Sequence, residues 1–306
     1  MVLADGRIVT ASRESEPKLF RAIRGGGSNF GIITNFELET YPYSGMWGGR
    51  TLVDGQHVRQ AIDAYEGFVR NNVPDKDPKG HTIIIFTYDE GPLQVLQYIV
   101  YTEPVAGLPM FDGLKQVPTI ESTLGMTDYL DLAGNIADLQ QGNGDRANVA
   151  TVTFRLDLEM LNFAYDVFVK ESAPITDRIT GTLEFHALPR TLSPVDNVYG
   201  LEDTGVPWIS FLLIFGTKHE RHNTELIAVQ KSICAKVQAE AERRGIYHPF
   251  LFSNYAGEWQ DVVGSYGEET LKSLSEVAKV YDPEQVFQHL QSGSFKLIGH
   301  GRKKMP

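Results

Sequence analysis

The sequence predicts a folded protein that contains both helices and strands, and three observations support this. Segments with the two-residue period of a strand alternate with segments that have the period of an amphipathic helix. Glycine and proline mark the ends of several segments, as at Gly245 and Pro283. Hydrophobic residues make up 42% and charged residues 22% of the 306 residues, which is typical of globular proteins.

The first part of the chain predicts a hairpin, a helix and a strand. Residues 2–10 alternate around the turn sequence Asp5-Gly6, which favours a hairpin. Residues 17–24 favour a short helix, because a proline suits its first turn and its apolar residues share one face. Glycine then ends this helix, and residues 32–38 have the pattern of a strand.

The pattern breaks at residues 41–45, where we place a domain boundary. Beyond it, apolar spacing predicts helices at residues 57–70, 104–114, 156–170 and 224–244, and a last helix that ends before Pro283. Strands are predicted at residues 82–88, 93–101, 182–187 and 208–215. No internal repeat is visible. Spacing alone leaves open which face of a sheet carries Tyr88, Tyr98, Tyr101 and His186.

Composition and local spacing argue against several classes of partner and site. A net charge of -11 repels phosphate backbones, so no nucleic-acid partner is expected. No apolar run has the length of a membrane span, so no membrane partner is expected, and no signal peptide is visible at the start. Cys234 is the one cysteine, and His219 and His222 miss the metalloprotease spacing, so no metal site is predicted. Localisation is left open.

Residues 25–31, Gly-Gly-Gly-Ser-Asn-Phe-Gly, form the first candidate site, which we call the glycine turn. A dinucleotide fingerprint follows a strand and opens a helix, whereas this turn follows a helix and precedes a strand. Three consecutive glycines permit positive φ and let a backbone approach a flat or charged ligand closely. The alternative interpretation is a helix stop followed by a loop.

Residues 250–260 form the second candidate site, a predicted strand that runs into a polar and aromatic loop. Asn254 could hydrogen-bond a ring ligand, and Tyr255 could present its phenol to a substrate. A tyrosine acts as a general base only where a cation or an electron-poor cofactor lowers its pKa. The alternative is an aromatic residue packed at a domain edge. We interpret His186, within an apolar strand, as a structural histidine.

These segments resemble one known family. Residues 2–6 (VLADG) and 19–34 (LFRAIRGGGSNFGIIT) resemble the second half of the flavin domain in berberine-bridge-enzyme-like, FAD-linked oxidoreductases of the vanillyl-alcohol-oxidase type. The closing segment of the same family is matched by Asn254-Tyr255, SYG at 265–267, YDP at 281–283, VFQ at 286–288 and GSFKL at 293–297. The resemblance covers roughly the first forty and the last fifty residues.

The resemblance implies an α+β fold, namely the second half of a PCMH-type FAD-binding domain plus a substrate domain with a large antiparallel sheet backed by helices. It implies a second FAD-binding subdomain at residues 1–42, a substrate domain at 43–246 and a C-terminal segment at 247–306 that returns to the flavin site.

The resemblance also implies a function. It implies an FAD-dependent oxidase or dehydrogenase of a small organic metabolite, with hydride transfer to flavin N5 and reoxidation by dioxygen. Tyr255 would be the catalytic base. The cofactor-binding residues carried over from the family are Gly25, Gly26, Gly27, Asn29, Gly31, Ile32 and Asn254.

Family members begin with a first flavin subdomain that carries the covalent FAD attachment site, and they are often secreted. Nothing in this sequence resembles that subdomain, so we expect either a truncated chain, a separately encoded first subdomain as partner, or a shortened paralogue. The family often has an aspartate where Gly257 stands. The alternative function is therefore a cofactor-free metabolite-binding protein or cyclase that uses the retained substrate cleft.

Overall fold

The computed structural model describes residues 1–72, 77–88, 91–140, 146–188, 198–201, 204–293 and 295–298. The chain divides into two compact units. Unit 1 comprises Met1–Tyr41, Thr191–Asp203 and Pro249–Pro306, and unit 2 comprises Pro42–Arg190 and Thr204–His248. Ser294, part of the GSFKL match, lies outside the described residues.

Both helices and strands form, as the sequence predicts. The strands are β1 (Met46–Val53), β2 (Gly80–Tyr88), β3 (Gln94–Tyr101), β4 (Thr119–Ser122), β5 (Gly125–Thr127), β6 (Arg146–Arg155), β7 (Thr180–Leu188), β8 (Trp208–Thr217) and β9 (Tyr247–His248). The helices are α1 (Pro17–Ile23), α2 (Val58–Asn71), α3 (Asp112–Lys115), α4 (Tyr129–Gln140), α5 (Leu158–Ser172), α6 (Asn223–Arg243), α7 (Glu268–Tyr281) and α8 (Val286–His289).

Unit 2 is built on one large antiparallel sheet. In the described residues the strand order is β4-β1-β3-β2-β7-β8-β6-β9, and β5 pairs with β1. Every pairing between these strands is antiparallel. This confirms the predicted α+β fold with a large antiparallel sheet.

The sheet contains the same arrangement twice. The order β1-α2-β2-β3 places β3 between β1 and β2, and the order β6-α5-β7-β8 places β8 between β6 and β7. The two arrangements meet where β2 pairs with β7, with Ile84 opposite Phe185. The repeat is one of topology, which explains why the sequence shows no repeated motif.

One face of the sheet packs against helices α2, α5 and α6. Phe86 of β2 contacts the ring of Tyr165 on α5 at 5.0 Å, and Phe185 of β7 contacts Tyr65 of α2 at 6.2 Å. Tyr88 lies on this helix-covered face because its ring contacts Phe168 of α5. Burial of such large apolar side chains supplies most of the stabilisation of the sheet.

The other face, which we call the second face, carries the alternate residues of each strand. Because side chains alternate along a strand, Tyr98 and His186 lie on the second face, whereas Tyr101 lies on the helix-covered face. Tyr98 and Leu132 of α4 belong to one buried cluster on this side. The strand register therefore shows which face of the sheet carries each of these side chains, a question that spacing alone left open.

The predicted long helices are confirmed in α2, α5 and α6, whose apolar residues face the core. The helix predicted at residues 104–114 is confirmed only in its second half. Pro109–Phe111 forms a single 3-10 turn and α3 adds four residues, because two prolines and Gly107 at φ +76° interrupt the segment. No helix among the described residues is long and apolar enough to cross a membrane.

In unit 1, the predicted hairpin is confirmed, whereas the strand predicted at residues 32–38 is wrong. Val2 bridges Ile8 across the turn, Leu3 N donates to the carbonyl of Arg7, and Met1 and Val9 exchange backbone hydrogen bonds. Within residues 32–38, Ile32 makes an isolated bridge to Val2 and no ladder extends from it among the described residues. Residues 34–41 are exposed and have no strand partner among the described residues. A strand pattern forms a strand only when a neighbour supplies the ladder hydrogen bonds.

Helix α1 confirms the short helix predicted after residue 16. Pro17 occupies its first turn, and Leu19 and Ala22 are buried. The hydroxyl of Tyr281, at the end of α7, donates to the Glu16 carboxylate. This hydrogen bond, together with burial, raises the pKa of Tyr281 to about 12.

Candidate functional site

The glycine turn follows α1 directly, and its backbone conformation explains why it is rich in glycine. Gly25 has φ +127° and Gly27 has φ +66°, conformations that side chains with a Cβ rarely adopt. A Cβ on Gly25 would lie 2.5 Å from Cε1 of Tyr199 and 2.7 Å from Cγ2 of Val198. A Cβ on Gly26 would lie 2.5 Å from the carbonyl oxygen of Ala22.

The structure therefore supports part of the alternative interpretation of the glycine turn. At Gly25, Gly26 and Gly31 the space beside the α-carbon is filled by protein atoms, so these three glycines permit internal packing. Gly27 differs because it is exposed. Ile32 is also exposed, at 58%. Of the residues predicted as cofactor contacts in this part of the chain, Gly27 and Ile32 are the two that are exposed.

Asn29 fixes the glycine turn from inside, and it is fully buried. Its Nδ2 donates to the carbonyl of Gly26 at 2.7 Å and to the carbonyl of Phe295 at 2.8 Å. Gln288 Nε2 donates to Asn29 Oδ1 at 3.1 Å. The predicted role of Asn29 as a flavin contact stays a prediction, and the structure assigns its side chain to holding the C-terminal segment against the turn.

Tyr266 connects the two candidate sites. Its hydroxyl donates to the carbonyl of Gly25 at 3.1 Å, and Ser253 also hydrogen-bonds to it. Ser253 immediately precedes Asn254 and Tyr255 in the same 3-10 turn. Burial raises the pKa of Tyr266, so its phenol keeps its proton. The glycine turn and the 253–255 turn are therefore neighbours in unit 1, because both hydrogen-bond to the hydroxyl of Tyr266.

Asn254 and Tyr255 differ in exposure. Asn254 is exposed, and Tyr255 is partly buried with its ring packed edge-on against Phe252 at 5.0 Å. The strand predicted before them is wrong, since β9 ends at His248 and residues 250–252 are irregular. An exposed carboxamide can both donate to and accept from a polar ring edge.

Tyr266 and Gln288 belong to the sequence motifs, but their place in these motifs indicates no role for either side chain. The structure shows that both hold the glycine turn in place. Tyr199 belongs to no motif, yet its ring packs against Phe250 at 5.2 Å and fills the space beside Gly25. No local signal in the sequence could have found Tyr199, because it lies far along the chain in a segment without periodicity.

Unit 2 contains a hydrogen-bonded pair of polar residues that the sequence motifs did not indicate. His186 Nε2 lies 2.6 Å from Glu184 Oε2 on the second face, and the side chain of Glu184 is 8% exposed. The expectation of a hydrogen-bonded histidine at position 186 is confirmed. The two-residue spacing of a glutamate and a histidine in a strand was the available signal, since such residues share a face.

Comparison with known proteins gives relatives along nearly the whole chain. The FAD-dependent monooxygenase FUP4 of Fusarium proliferatum is 31% identical over 319 residues, which cover 97% of this chain and 61% of that protein. The FAD-dependent monooxygenase tpcD of Cochliobolus heterostrophus is 32% identical over 97% of this chain and 61% of that protein. The chain thus spans about three fifths of the length of these relatives. No profile of a known protein family matches it.

Solved structures share the architecture at low sequence identity. The xylooligosaccharide oxidase of Myceliophthora thermophila superposes with a TM-score of 0.71 at 16% identity, over 94% of this chain and 63% of that one. The BBE-like 1 protein of Physcomitrella patens gives 0.67 at 16% identity, over 96% and 64%. The chain has the fold of berberine-bridge-enzyme-like oxidases. The fold implied by the sequence motifs is thereby confirmed.

Proposed function

We propose that this chain contributes to an FAD-linked oxidoreductase that acts on a small organic metabolite. Residues 1–42 and 247–306 would belong to its flavin-binding part and residues 43–246 to its substrate-binding part. The observation that carries the proposal is Tyr266, which joins the glycine turn to the 253–255 turn. The names of the curated relatives, FAD-dependent monooxygenases, support the same cofactor.

The surface at the joined turns fits a flavin ring. Gly27 offers exposed backbone without a side chain, Ile32 offers an exposed apolar side chain, and Asn254 offers an exposed carboxamide. A flat ring system with a polar edge requires these three kinds of contact. The site would be supported by the residues that hold the glycine turn in its conformation, namely Gly25, Gly26, Asn29 and Gly31.

FAD, when bound, supplies a hydride acceptor at N5 that dioxygen can reoxidise. The chain's own residues would hold the ring and position the substrate. Tyr255, next to Asn254 in the 3-10 turn, is the proposed acceptor of a substrate proton, and its ring is oriented by Phe252. Dioxygen and a small organic molecule are the proposed co-reactants.

An absorption spectrum tests the cofactor. We expect the purified chain, incubated with FAD and passed through a desalting column, to keep flavin absorbance in the visible range. Asn254→Ala should lower the affinity for FAD about tenfold, because a ring loses one or two hydrogen bonds to its polar edge.

Asn71→Ala, at an exposed position of unit 2, provides the matched control and should leave the FAD affinity unchanged. A chain that stays colourless after incubation with FAD would contradict the proposal for this polypeptide. That result would favour the cofactor-free metabolite-binding alternative.

Unit 1 presents an apolar strip that we propose contacts a further flavin-binding polypeptide. The strip consists of Ile8, Phe36, Leu38 and Tyr41, exposed by 70% to 80%. Its backbone at residues 34–41 has no ladder partner among the described residues. Several exposed apolar side chains beside unpaired strand-like backbone are typical of an interaction site.

Mixing tests this contact. We expect the part of the Fusarium relative that has no counterpart in this chain, produced separately, to form a complex with it and to raise its FAD affinity at least tenfold. The double variant Phe36→Ser/Leu38→Ser should lose the complex in size-exclusion chromatography, since it removes exposed apolar contact area. Ile120→Ser, at an equally exposed position of unit 2, should not. Equal behaviour of the two variants would contradict the contact.

A further inference from the structure

A cavity of about 530 Å³ lies beside α2, one of the helices that cover the sheet of unit 2, and we call it the α2 groove. Its other wall is the segment 109–115, which contains α3. Apolar side chains from both walls line it, namely Ala64, Phe68, Pro109, Met110 and Leu114. Phe68 stacks on the buried ring of Phe111 at 5.4 Å, so the floor of the groove is held by packing beneath it.

Two glycines keep the α2 groove open. Gly67 lies in the interior of α2 and Gly113 lies in α3, and both line the cavity. A Cβ on either glycine would have no packing partner within 4 Å, so packing does not require a glycine at either position. Glycine is, after proline, the least favourable residue inside a helix. A residue that disfavours its own helix without a packing reason is typical of a functional position.

One end of the α2 groove carries a carboxylate that the protein holds in place. Asp77 accepts a hydrogen bond from the hydroxyl of Tyr101 at 3.0 Å and one from the backbone N–H of Lys79 at 3.1 Å. The ammonium group of Lys79 pairs with Glu103 at 2.6 Å instead. No cation in the described part of the chain forms an ion pair with Asp77. A fixed, half-buried carboxylate without a countercharge favours a bound cation.

A second carboxylate lies at the other end. Asp63 lines the groove from the exposed side of α2, and the end of this helix lies about 12 Å further along its axis. Asn72 follows the helix and donates to the carbonyl of Gly80, which lies opposite Tyr101 in the strand register. Tyr101 holds Asp77, so Asp77 lies at the far end. The lining that the structure describes contains no lysine, arginine or histidine. The groove is therefore acidic at both ends and apolar between them.

We propose that the α2 groove binds a linear aliphatic diamine. Its two ammonium groups pair with Asp63 and Asp77, and its methylene chain lies over Phe68 and Met110. A single ammonium leaves one carboxylate without a countercharge, and an anionic ligand is repelled at both ends. The site goes beyond the proposed function and does not depend on it, because every lining residue belongs to unit 2.

Isothermal titration calorimetry of the full chain with 1,8-diaminooctane at low salt tests the inference. We expect a dissociation constant on the order of 1 mM, as for a small flexible ligand. 1-Aminooctane should bind about threefold more weakly, because it keeps the pair with Asp77 and loses the exposed pair with Asp63. Sodium chloride at about 0.5 M should weaken binding of the diamine, since salt screens both pairs.

Variants assign the binding to the groove. Asp77→Asn should weaken binding of 1,8-diaminooctane about tenfold, and Asp63→Asn about threefold, because Asp77 is fixed and half-buried whereas Asp63 is exposed. Glu242→Gln is the matched control. It removes the same charge at an exposed position of α6 and should bind as the unaltered chain does.

Gly67→Leu fills the groove and should weaken binding more than tenfold while it raises the melting temperature, because leucine favours a helix. A loss of binding in a more stable protein cannot come from unfolding. Gly55→Leu is its control, since Gly55 also has no packing partner within 4 Å and lies outside the groove. Absence of binding by 1,8-diaminooctane would overturn the inference. So would equal affinity for the diamine and 1-aminooctane, equal binding by Asp77→Asn and Glu242→Gln, or unaltered binding by Gly67→Leu.

Discussion

Replacing Asn29 by alanine is expected to lower the free energy of unfolding by about 3–4 kcal/mol, because several buried hydrogen bonds are lost together. The carbonyls of Gly26 and Phe295 would each lose the Asn29 donor, and Gln288 would keep the backbone carbonyl of residue 29 but lose the side-chain acceptor. Each buried polar group left unpaired costs about 1–3 kcal/mol. Urea denaturation at neutral pH, followed by circular dichroism, measures the change.

Asn35→Ala is the control, since Asn35 is exposed and should change stability by less than about 0.5 kcal/mol. Asn29→Ala should also free the C-terminal segment, so that trypsin cleaves after Lys296 faster than in the unaltered chain. A loss below about 1 kcal/mol, with unchanged cleavage, would show that Asn29 does not hold the segment in place.

Replacing Gly25 by alanine is expected to cost about 2–4 kcal/mol, from two causes that act together. The φ of +127° is one that an alanine rarely adopts. The new methyl group would also lie 2.5 Å from the ring of Tyr199, which the ring cannot tolerate without moving. The same denaturation measurement gives the cost.

Gly205→Ala separates the two causes, because Gly205 has φ +73° and no atom lies within 4 Å of the position that its new methyl group would take. We expect this control to cost only about 1–2 kcal/mol, the conformational part. If Gly25→Ala instead left stability unchanged and lowered FAD affinity, the glycine would serve the ligand and the packing explanation would fail.

The helices could be predicted because their apolar residues recur every three to four positions over many turns. Helix α6 spans Asn223–Arg243, against a prediction of 224–244. Strand β1 could not be predicted, because its sequence contains Gly48 and Gly49 and has no alternation. Gly48 is needed there, since a Cβ would lie 2.4 Å from the carbonyl of Ile99 on β3. Contacts with the neighbouring strand β3 explain why this segment forms a strand. The sequence of the segment alone does not reveal those contacts.

The candidate site was predictable only where its residues form local motifs. The glycine turn and Asn254-Tyr255 were found from the sequence, and Tyr266 brings the two turns together. That Tyr98 and Glu184 share one face of the sheet could not be predicted, because this depends on the pairing of three strands. Ile84 and Phe185, which set this pairing, are 101 positions apart (185 minus 84). Local patterns carry no information about such a register.

The two arrangements of unit 2 meet at β2 and β7, each of which is the strand that follows the helix in its own half. At this junction the second face carries Ile83 and Ile85 from one half beside Glu184 and His186 from the other. One half thus presents apolar side chains where the adjoining half presents polar ones. Equal strand topology therefore does not bring equal chemistry, and the role of a residue in one half cannot be transferred to the other half by position alone.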